Sequence, residues 1–277
     1  YIFPTGSTTT RETSSPPDGF TYYFRFPSAT NSIIISQQIE LEAQGKVGRY
    51  KNKTVTVSWY ARSESSNKMY VDAAFKNNSG GGDYTTVVAG SGSPQDITSS
   101  WARYSQTFTI SATPHANNKC FSVMIRTPSS GSGSTGTLEA TGFQCEFGDI
   151  ATDFEHVPPS EDLTRCYRYY YRMNGDNNKT YMIGMSDNDN QNIYGFFHFP
   201  VPMRTAPTAI EQNGTAGHYK VRRDTTKSCT GVPTFTDAMP FYCRVNFPSS
   251  GHGWGTGQML WCQGGSASSY LGFSAEI

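Results

Sequence analysis

The segment TVTVSWYARS, from Thr54 to Ser63, alternates apolar and polar residues along its length. Val55, Val57 and Trp59 share one parity, and successive side chains of a strand point to opposite faces, so they predict one buried face. Three further segments repeat this pattern: KMYVDAAF at 68–75, RYSQTFTI at 103–110 and CFSVMIR at 120–126. Turn segments rich in Gly, Ser, Asn and Pro separate them. This spacing predicts an antiparallel sandwich of the jelly-roll type.

A second group of strand patterns follows the double proline of VPPS, at 157–160. It includes TYMIGMS at 180–186, NIYGFFHF at 192–199, FYCRVNF at 241–247 and QMLWCQ at 258–263. Between the two groups, Ser160 is a candidate N-cap, and acidic residues follow it, which predicts a short helix leading into a strand.

The fold class is therefore predicted to be all-β, a jelly-roll β-sandwich followed by a second β-sandwich domain, with a short helix at the junction. Residues 1–19 are predicted to be an N-terminal arm or linker, 20–157 the jelly-roll domain and 158–277 a β-rich second domain. The chain opens on Tyr1, and we expect it to be a piece of a longer or processed protein.

The charge balance excludes several classes of partner. The chain carries 22 basic and 22 acidic residues, whereas nucleic-acid binding normally needs a basic stripe. Its apolar runs are much shorter than the roughly 18 residues of a membrane-spanning helix. We therefore expect no nucleic acid, no membrane insertion and no cofactor.

The six cysteines are spaced widely, without a CxxC pair or a Cys/His ligand set, so we expect no zinc site. The default interpretation is free, buried thiols that act as small hydrophobes. A bridge between Cys229 and Cys243, or between Cys243 and Cys262, is the alternative.

Four carboxylates are concentrated in GFQCEFGDIATDFE, at 142–155: Glu146, Asp149, Asp153 and Glu155. A glycosidase pair needs one carboxyl group in an apolar pocket, whereas three of these four lie in an exit loop. We therefore assign them to structural hydrogen bonding, with catalysis and cation binding as alternatives. Strand parity predicts that three other side chains of this stretch lie in the core: Phe143, Cys145 and Phe147.

No other segment carries a nucleophile, metalloprotease or phosphate-binding motif, and we predict no catalytic residue and no metal site. DNDNQN, at 187–192, lacks the Gly and the terminal Glu of a calcium loop, so it is interpreted as a polar hairpin tip.

Aromatic residues are the better candidates for binding, because sugars stack their CH faces on exposed rings. Trp254 and His252 lie in the Gly-rich loop SSGHGWGTGQ, and Tyr60 and Tyr70 lie on the polar parity of their strands. These four are the candidate glycan-binding residues. Trp59 and Trp101 are assigned to the core. The alternative to an exposed Trp254 is a ring that is folded back onto its own domain or onto a neighbouring subunit.

The stretch GFQCEFGDIATDFEHVPPSEDLTRCYRYYYR resembles a segment common in tail-fibre and tail-spike proteins of tailed bacteriophages. The matching positions are Gln144, Glu146, Gly148, Ala151, Thr152, Phe154, Glu155, Cys166, Arg168, Tyr169 and Tyr170. The segments QQIE, KTVTVSWYARS and SSWARYSQTFTI are similar to the jelly roll of the same proteins, which is similar to carbohydrate-binding modules. FPVPMRTAPT and LGFSAEI resemble their C-terminal part. Cys145 stands where these proteins usually have an aliphatic residue, which predicts a buried thiol.

The resemblance implies a homotrimeric virion tail fibre that binds a host cell-surface glycan and other virion tail proteins. It implies a non-enzymatic protein that is assembled in the host cytoplasm and acts extracellularly, in the virion. Two alternatives remain: a fibre connector or capsid-decorating protein without receptor contact, and a tail spike that depolymerises polysaccharide.

Overall fold

The computed structural model describes residues 9–27, 33–41, 50–65, 67–77, 84–89, 93–113, 118–128, 136–187, 191–251 and 253–275. These residues are mainly strands, with one α-helix of nine residues. The predicted all-β class, with sandwiches and a short helix, is confirmed. The chain divides into two compact units, unit 1 and unit 2, with the boundary between His156 and Val157.

Unit 1 contains two sheets. The five-stranded sheet has the order β1-β2-β10-β4-β8 and the four-stranded sheet the order β3-β9-β5-β6, while β7 pairs with β5. The strands are β1 Thr10–Glu12, β2 Tyr23–Phe26, β3 Ile34–Glu40, β4 Thr54–Ser63, β5 Asn67–Lys76, β6 Tyr84–Ala89, β7 Gln95–Ile97, β8 Ala102–Thr109, β9 Cys120–Arg126 and β10 Leu138–Phe147.

The core of unit 1 lies between these sheets and follows the predicted parity. Val55, Val57 and Trp59 of β4 are buried, and Trp59 is completely inaccessible. From the facing sheet, Val71 and Phe75 join the same cluster. Burying a large apolar side chain stabilises a fold by about 1.5–3 kcal/mol, so these alternating residues decide which face of each strand points inward.

Strand β10 contains a bulge that the sequence did not predict. Its pairing with β4 shifts register between Thr141 and Gln144, and Gly142 between them has a φ of +60°. A Cβ on Gly142 would lie 2.6 Å from Cζ of Phe20, so only glycine fits this left-handed, crowded position. The extra residue switches the core-facing parity of the strand, from Leu138 and Ala140 before the bulge to Phe143, Cys145 and Phe147 after it.

The prediction that these last three residues lie in the core is correct for the face and wrong for the burial. Phe143 is half-buried against the core, but Cys145 and Phe147 are exposed. Cys145 is exposed because it lines a cleft of about 60 Å³ between the sheets, together with Ile35 and Val123 of the facing sheet.

Unit 2 begins with helix α1, Pro159–Tyr167, which leads into a strand as predicted. Ser160 is not its N-cap, because the helix starts one residue earlier and Pro158 occupies the cap position. Pro159 suits the first helical position, where its fixed φ is already helical and its missing N–H would have no partner. Within the described residues, no helix is long and apolar enough to cross a membrane.

The strands of unit 2 form a three-stranded sheet, β11-β20-β14, and a seven-stranded sheet, β16-β15-β19-β12-β13-β18-β17. They are β11 Tyr170–Asn174, β12 Thr180–Ser186, β13 Asn192–His198, β14 Ile210–Glu211, β15 Tyr219–Arg222, β16 Thr226–Ser228, β17 Thr234–Ala238, β18 Tyr242–Pro248, β19 Met259–Gly264 and β20 Tyr270–Ser274. The core between these two sheets includes Tyr219, Phe247 and Phe273, all completely buried.

All six cysteines are free thiols, so neither alternative bridge forms. Cys120, Cys229, Cys243 and Cys262 are buried, as predicted, and burial raises the pKa of the Cys229 and Cys243 thiols to about 12. Cys145 and Cys166 are exposed, which differs from the buried thiol predicted at Cys145, although desolvation still raises the pKa of the Cys145 thiol to about 11.

Candidate functional site

The outer face of the four-stranded sheet in unit 1 is polar and buried. Parity places Ser36, Tyr70, Asp72, Ser122 and Arg126 on this face, since the alternate residues of the same strands point into the core. These five residues are called the polar floor. An outer sheet face normally meets water, so buried polar side chains in this position need an explanation.

Strand register brings the polar floor together. Tyr70 lies directly opposite Arg126, and Asp72 and Ser36 both lie opposite Met124. Ser122 and Arg126 are four residues apart on β9, or about 13 Å at 3.3 Å per residue. That length exceeds a single hexose ring.

An ion pair lies near the centre of the polar floor. Nη1 of Arg126 donates a hydrogen bond of 2.8 Å to Oδ2 of Asp72. The Asp72 side chain is only 10% exposed and that of Arg126 30% exposed. The Asp72 carboxyl is the acceptor of this pair, and carboxylates accept strong hydrogen bonds from hydroxyl groups.

Two buried polar atoms of the floor have no hydrogen-bond partner in the structure: Oγ of Ser122 and Nε of Arg126. An unpaired buried donor or acceptor costs about 1–3 kcal/mol, and native structures contain few of them. A ligand that both donates and accepts hydrogen bonds would satisfy the hydroxyl and the guanidinium together. Sugar hydroxyls have this property, and Tyr70 adds an aromatic edge to the same row.

Of the four candidate glycan-binding residues, only Tyr70 belongs to this floor. It lies on the predicted face but is 7% exposed, so the expectation of an exposed ring is wrong. Its proposed role in glycan binding stays a prediction.

Tyr60 lies on the outer face of the five-stranded sheet and is half-buried there. Phe20 packs on it with ring centroids 5.2 Å apart, and the Arg103 guanidinium lies 5.7 Å from its centroid. The expected free ring is therefore covered by the chain itself.

Trp254 is 5% exposed and belongs to the core of unit 2. Its Nε1 donates a hydrogen bond of 2.9 Å to Oδ1 of Asp224, and this bond lowers the pKa of the Asp224 carboxyl. The ring is folded back onto its own domain, which was the alternative to an exposed loop tryptophan. His252 lies outside the described residues.

The carboxylate cluster at 142–155 forms a structural clasp. Both oxygens of Glu146 accept hydrogen bonds from Thr152, one from the backbone N–H at 3.0 Å and one from Oγ1 at 2.6 Å. Oε1 of Gln144 accepts a hydrogen bond of 2.9 Å from the N–H of Glu155. Among the described residues, no group of three His, Cys, Asp or Glu side chains could hold a metal ion.

A second polar cavity, of about 270 Å³, opens on the outer face of the five-stranded sheet. Glu139, at 8% side-chain exposure, pairs there with Nε of Arg62 at 2.5 Å and with Nε of Arg25 at 3.8 Å. Arg62 also stacks on Trp101, which is half-buried on this face and not in the core as predicted. The charges of this cavity are paired, as are those of the polar floor.

Sequence reasoning missed Asp72, Ser122 and Arg126. The available signal was Asp72, a charged residue in the middle of the apolar strand KMYVDAAF, on the parity of Tyr70. Charged residues are seldom fully buried unless they are paired, so such a position indicates a partner or a ligand.

Residues 21–131 match the model of a protein family described as a carbohydrate binding domain. This range contains strands β2 to β9 and every residue of the polar floor. The matched part of unit 1 is thus similar to a carbohydrate-binding domain. No curated protein matches the chain.

Among solved structures, the chain is similar to the CBM22-1 xylan-binding domain of Xyn10C from Paenibacillus barcinonensis. Identity is 12%, over 54% of this chain and 86% of that chain, with a TM-score of 0.35. A CBM4 structure is 19% identical, over 50% of this chain and 78% of that chain, with a TM-score of 0.32. The enzymatically active domain of tailspike protein 4 from bacteriophage CBA120 is 12% identical, over 51% of this chain and 18% of that chain, with a TM-score of 0.33.

Proposed function

We propose that the chain is a non-catalytic receptor-binding component of a bacteriophage tail fibre, in which the polar floor of unit 1 binds a host cell-surface glycan. The match of residues 21–131 to a carbohydrate-binding domain carries the glycan part of this proposal. The tail-fibre part rests on the resemblance of residues 142–172 to tail-fibre and tail-spike proteins. Its site of action is the virion, outside the host cell.

The chemistry of the polar floor supports a neutral, hydroxyl-rich ligand. Asp72 and Arg126 form an acceptor and a donor 2.8 Å apart, and a pair of adjacent sugar hydroxyls can bridge such groups. Ser122 supplies a further hydroxyl in a dry position, where hydrogen bonds are stronger than in water. The lack of net charge on the chain suits an uncharged polysaccharide.

The proposed partners are two further copies of the chain, other virion tail proteins and the host polysaccharide. Receptor binding by a trimer multiplies weak single-site contacts, because the second and third sites bind at a high effective concentration. A modest affinity at each polar floor is therefore sufficient for attachment.

The test is a glycan array probed with the full chain and with two matched variants. Asp72→Asn removes the buried charge of the floor, and Asp96→Asn removes an exposed one, since Asp96 pairs with Lys68 at 2.7 Å and is 79% exposed. A hydrogen bond to a charged group is worth about 1.5–3 kcal/mol, so we expect Asp72→Asn to weaken glycan binding roughly 10- to 100-fold. Asp96→Asn should bind like the unchanged chain.

Absence of any bound glycan, or equal binding by both variants, would contradict the proposal. Incubation of the same protein with host polysaccharide separates binding from depolymerisation, because release of reducing ends would establish an enzyme. Imaging of labelled virions separates a distal receptor-binding position from a connector or a capsid-bound one.

A further inference from the structure

The outer face of the seven-stranded sheet in unit 2 carries large apolar side chains. Five residues are between 46% and 64% exposed there: Ile183, Met185, Phe196, Met259 and Trp261. They lie on β19, β12 and β13, the three central strands of the sheet. These five residues are called the apolar strip.

The register makes the apolar strip continuous. Ile183 lies opposite Trp261, and Met185 lies opposite both Met259 and Tyr194. Arg244 places its guanidinium 4.7 Å from the Tyr194 ring centroid and pairs with Asp237 at 3.2 Å, which limits the strip on one side.

An antiparallel sheet with one solvated face is expected to alternate apolar-in and polar-out. The outer side chains of the apolar strip violate this rule on three adjacent strands. At about 200 Å² for each large side chain, five half-exposed residues leave roughly 500 Å² of apolar surface. One side of a standard protein interface covers about 800 Å², of which about 55–65% is apolar, so the strip has the area that such an interface needs.

The composition of the strip favours a protein partner over a sugar. Met, Trp, Phe, Tyr and Arg are the residues enriched at protein interfaces, whereas Lys and Glu are depleted there. Met185, Met259 and Ile183 offer sugar hydroxyls no hydrogen bond of useful strength. This is the opposite of the polar floor, where each side chain except the tyrosine edge is chosen for hydrogen bonding.

The position and area of the strip favour a second copy of this chain as that partner. The strip occupies the three central strands of the sheet, so a rotation axis parallel to these strands brings the strips of different copies together. Each copy then covers an apolar area equal to its own, and that area fits an interface of standard size. This holds for a two-fold axis, with sheets packed face to face, and for a three-fold axis, with three sheets facing inward.

We infer that the apolar strip is the contact surface between copies of this chain, related by an axis parallel to the strands of the seven-stranded sheet. The inference deepens the trimer of the proposed function by naming the surface, and it is independent of glycan specificity. Each copy buries the strip against its neighbour.

The test compares two identical chemical changes in the full chain. Met259→Glu places a charge within the strip, and Met239→Glu places one in the connection between β17 and β18, where Met239 is 45% exposed. Molar mass is measured by light scattering after size exclusion. We expect the unchanged chain and Met239→Glu to assemble, and Met259→Glu to associate at least 10-fold more weakly.

A second position provides an arm that does not depend on the folding of Met259→Glu. Ile183→Lys should also weaken assembly at least 10-fold, because it places a charge within the same strip, on β12. A monomeric unchanged chain, or assembly that neither Met259→Glu nor Ile183→Lys alters, would overturn the inference and assign the strip to another partner. Glycan binding by monomeric Met259→Glu is measured per site. Because this measurement does not depend on assembly, it separates failure of the inferred contact from failure of the proposed function.

Discussion

The outer faces of two sheets, one in each unit, reverse the usual relation between polarity and exposure. The polar floor of unit 1 is largely buried although it carries Asp72 and Ser122. The apolar strip of unit 2 is exposed although it carries Phe196 and Trp261. A solvated sheet face needs neither arrangement. Under the two proposals above, the floor suits a partner that forms hydrogen bonds, and the strip suits a partner that excludes water.

The largest expected effect separates the two faces of the seven-stranded sheet. Ile193 is completely buried and Ile183 is 53% exposed, so Ile193→Thr and Ile183→Thr make the same change on opposite faces. Loss of buried methyl contacts and burial of a hydroxyl should cost Ile193→Thr about 3 kcal/mol of unfolding free energy. Ile183→Thr should change it by less than about 0.5 kcal/mol.

Urea denaturation in the Met259→Glu background measures both changes in a chain expected to be monomeric. Equal losses for the two threonine variants would mean that the apolar strip is already covered within a single chain.

The next effect concerns the ion pair of the polar floor. Asp72→Ala leaves Arg126 without its partner in a mostly buried position, and loss of one member of such a pair costs several kcal/mol. Because the Arg126 side chain retains 30% exposure, we expect about 2 kcal/mol. Asp96→Ala in the same unit should cost less than about 1 kcal/mol, since exposed pairs contribute little.

The urea transition of unit 1 measures the loss caused by each alanine variant. If Asp96→Ala lowered the unfolding free energy as much as Asp72→Ala, the ion pair of the polar floor would be no less solvated than a surface pair.

A smaller effect has opposite signs at two buried serines. Oγ of Ser122 has no partner, whereas Oγ of Ser58 accepts a hydrogen bond of 3.0 Å from Nη2 of Arg103. Ser122→Ala should therefore raise the unfolding free energy by about 1 kcal/mol while weakening glycan binding, and Ser58→Ala should lower it by about 1 kcal/mol. Thermal unfolding with and without glycan checks both signs. Destabilisation by Ser122→Ala would show that the Ser122 hydroxyl has a hydrogen-bond partner.

The smallest effect depends on pH and lies outside both faces, in the clasp at Glu146. Desolvation would raise the pKa of this carboxyl, but hydrogen bonds from Thr152 and Gln144 outweigh it and lower the pKa below 4.5. A group with a lowered folded-state pKa stabilises above its unfolded pKa, and the contribution is lost as pH falls through the folded value. We expect the hydrogen-exchange protection of the Thr152 amide to decrease when the pH is lowered below 4.5.

The Gly148 amide is the internal control, because it donates to the backbone carbonyl of Thr54 and not to Glu146. Its protection should stay constant over the same pH range. Parallel loss at both amides would indicate general unfolding of the segment and not protonation of Glu146.

The sequence predicted the features that depend on alternation along one strand. Parity identified the buried faces at Trp59, Val71 and Val123 because neighbouring residues alone decide them. Features that depend on distant residues escaped it. Phe20 covers Tyr60, and Asp224 holds Trp254 from 30 residues away, so neither ring is free as expected.

The candidate site was missed for a related reason. Alternation places Asp72 on the outer face of its strand, but only the register of three strands brings it to Arg126 and near Ser122. Parity by itself assigns an outer face to water, and burial of that face is a property of the assembled sheet. The bulge at Gly142 likewise became apparent only from the pairing of β10 with β4.

The aromatic contact between Phe20 and Phe154 has a mechanical consequence. Phe20 lies between β1 and β2, Phe154 follows β10, and their ring centroids are only 4.9 Å apart. Both rings lie on the side of Tyr60, on the sheet opposite the polar floor. Because β1, β2 and β10 are neighbours in the five-stranded sheet, a tensile load along the chain would pass through that sheet. The strands of the floor belong to the other sheet, so we expect such a load to leave the proposed glycan site undistorted.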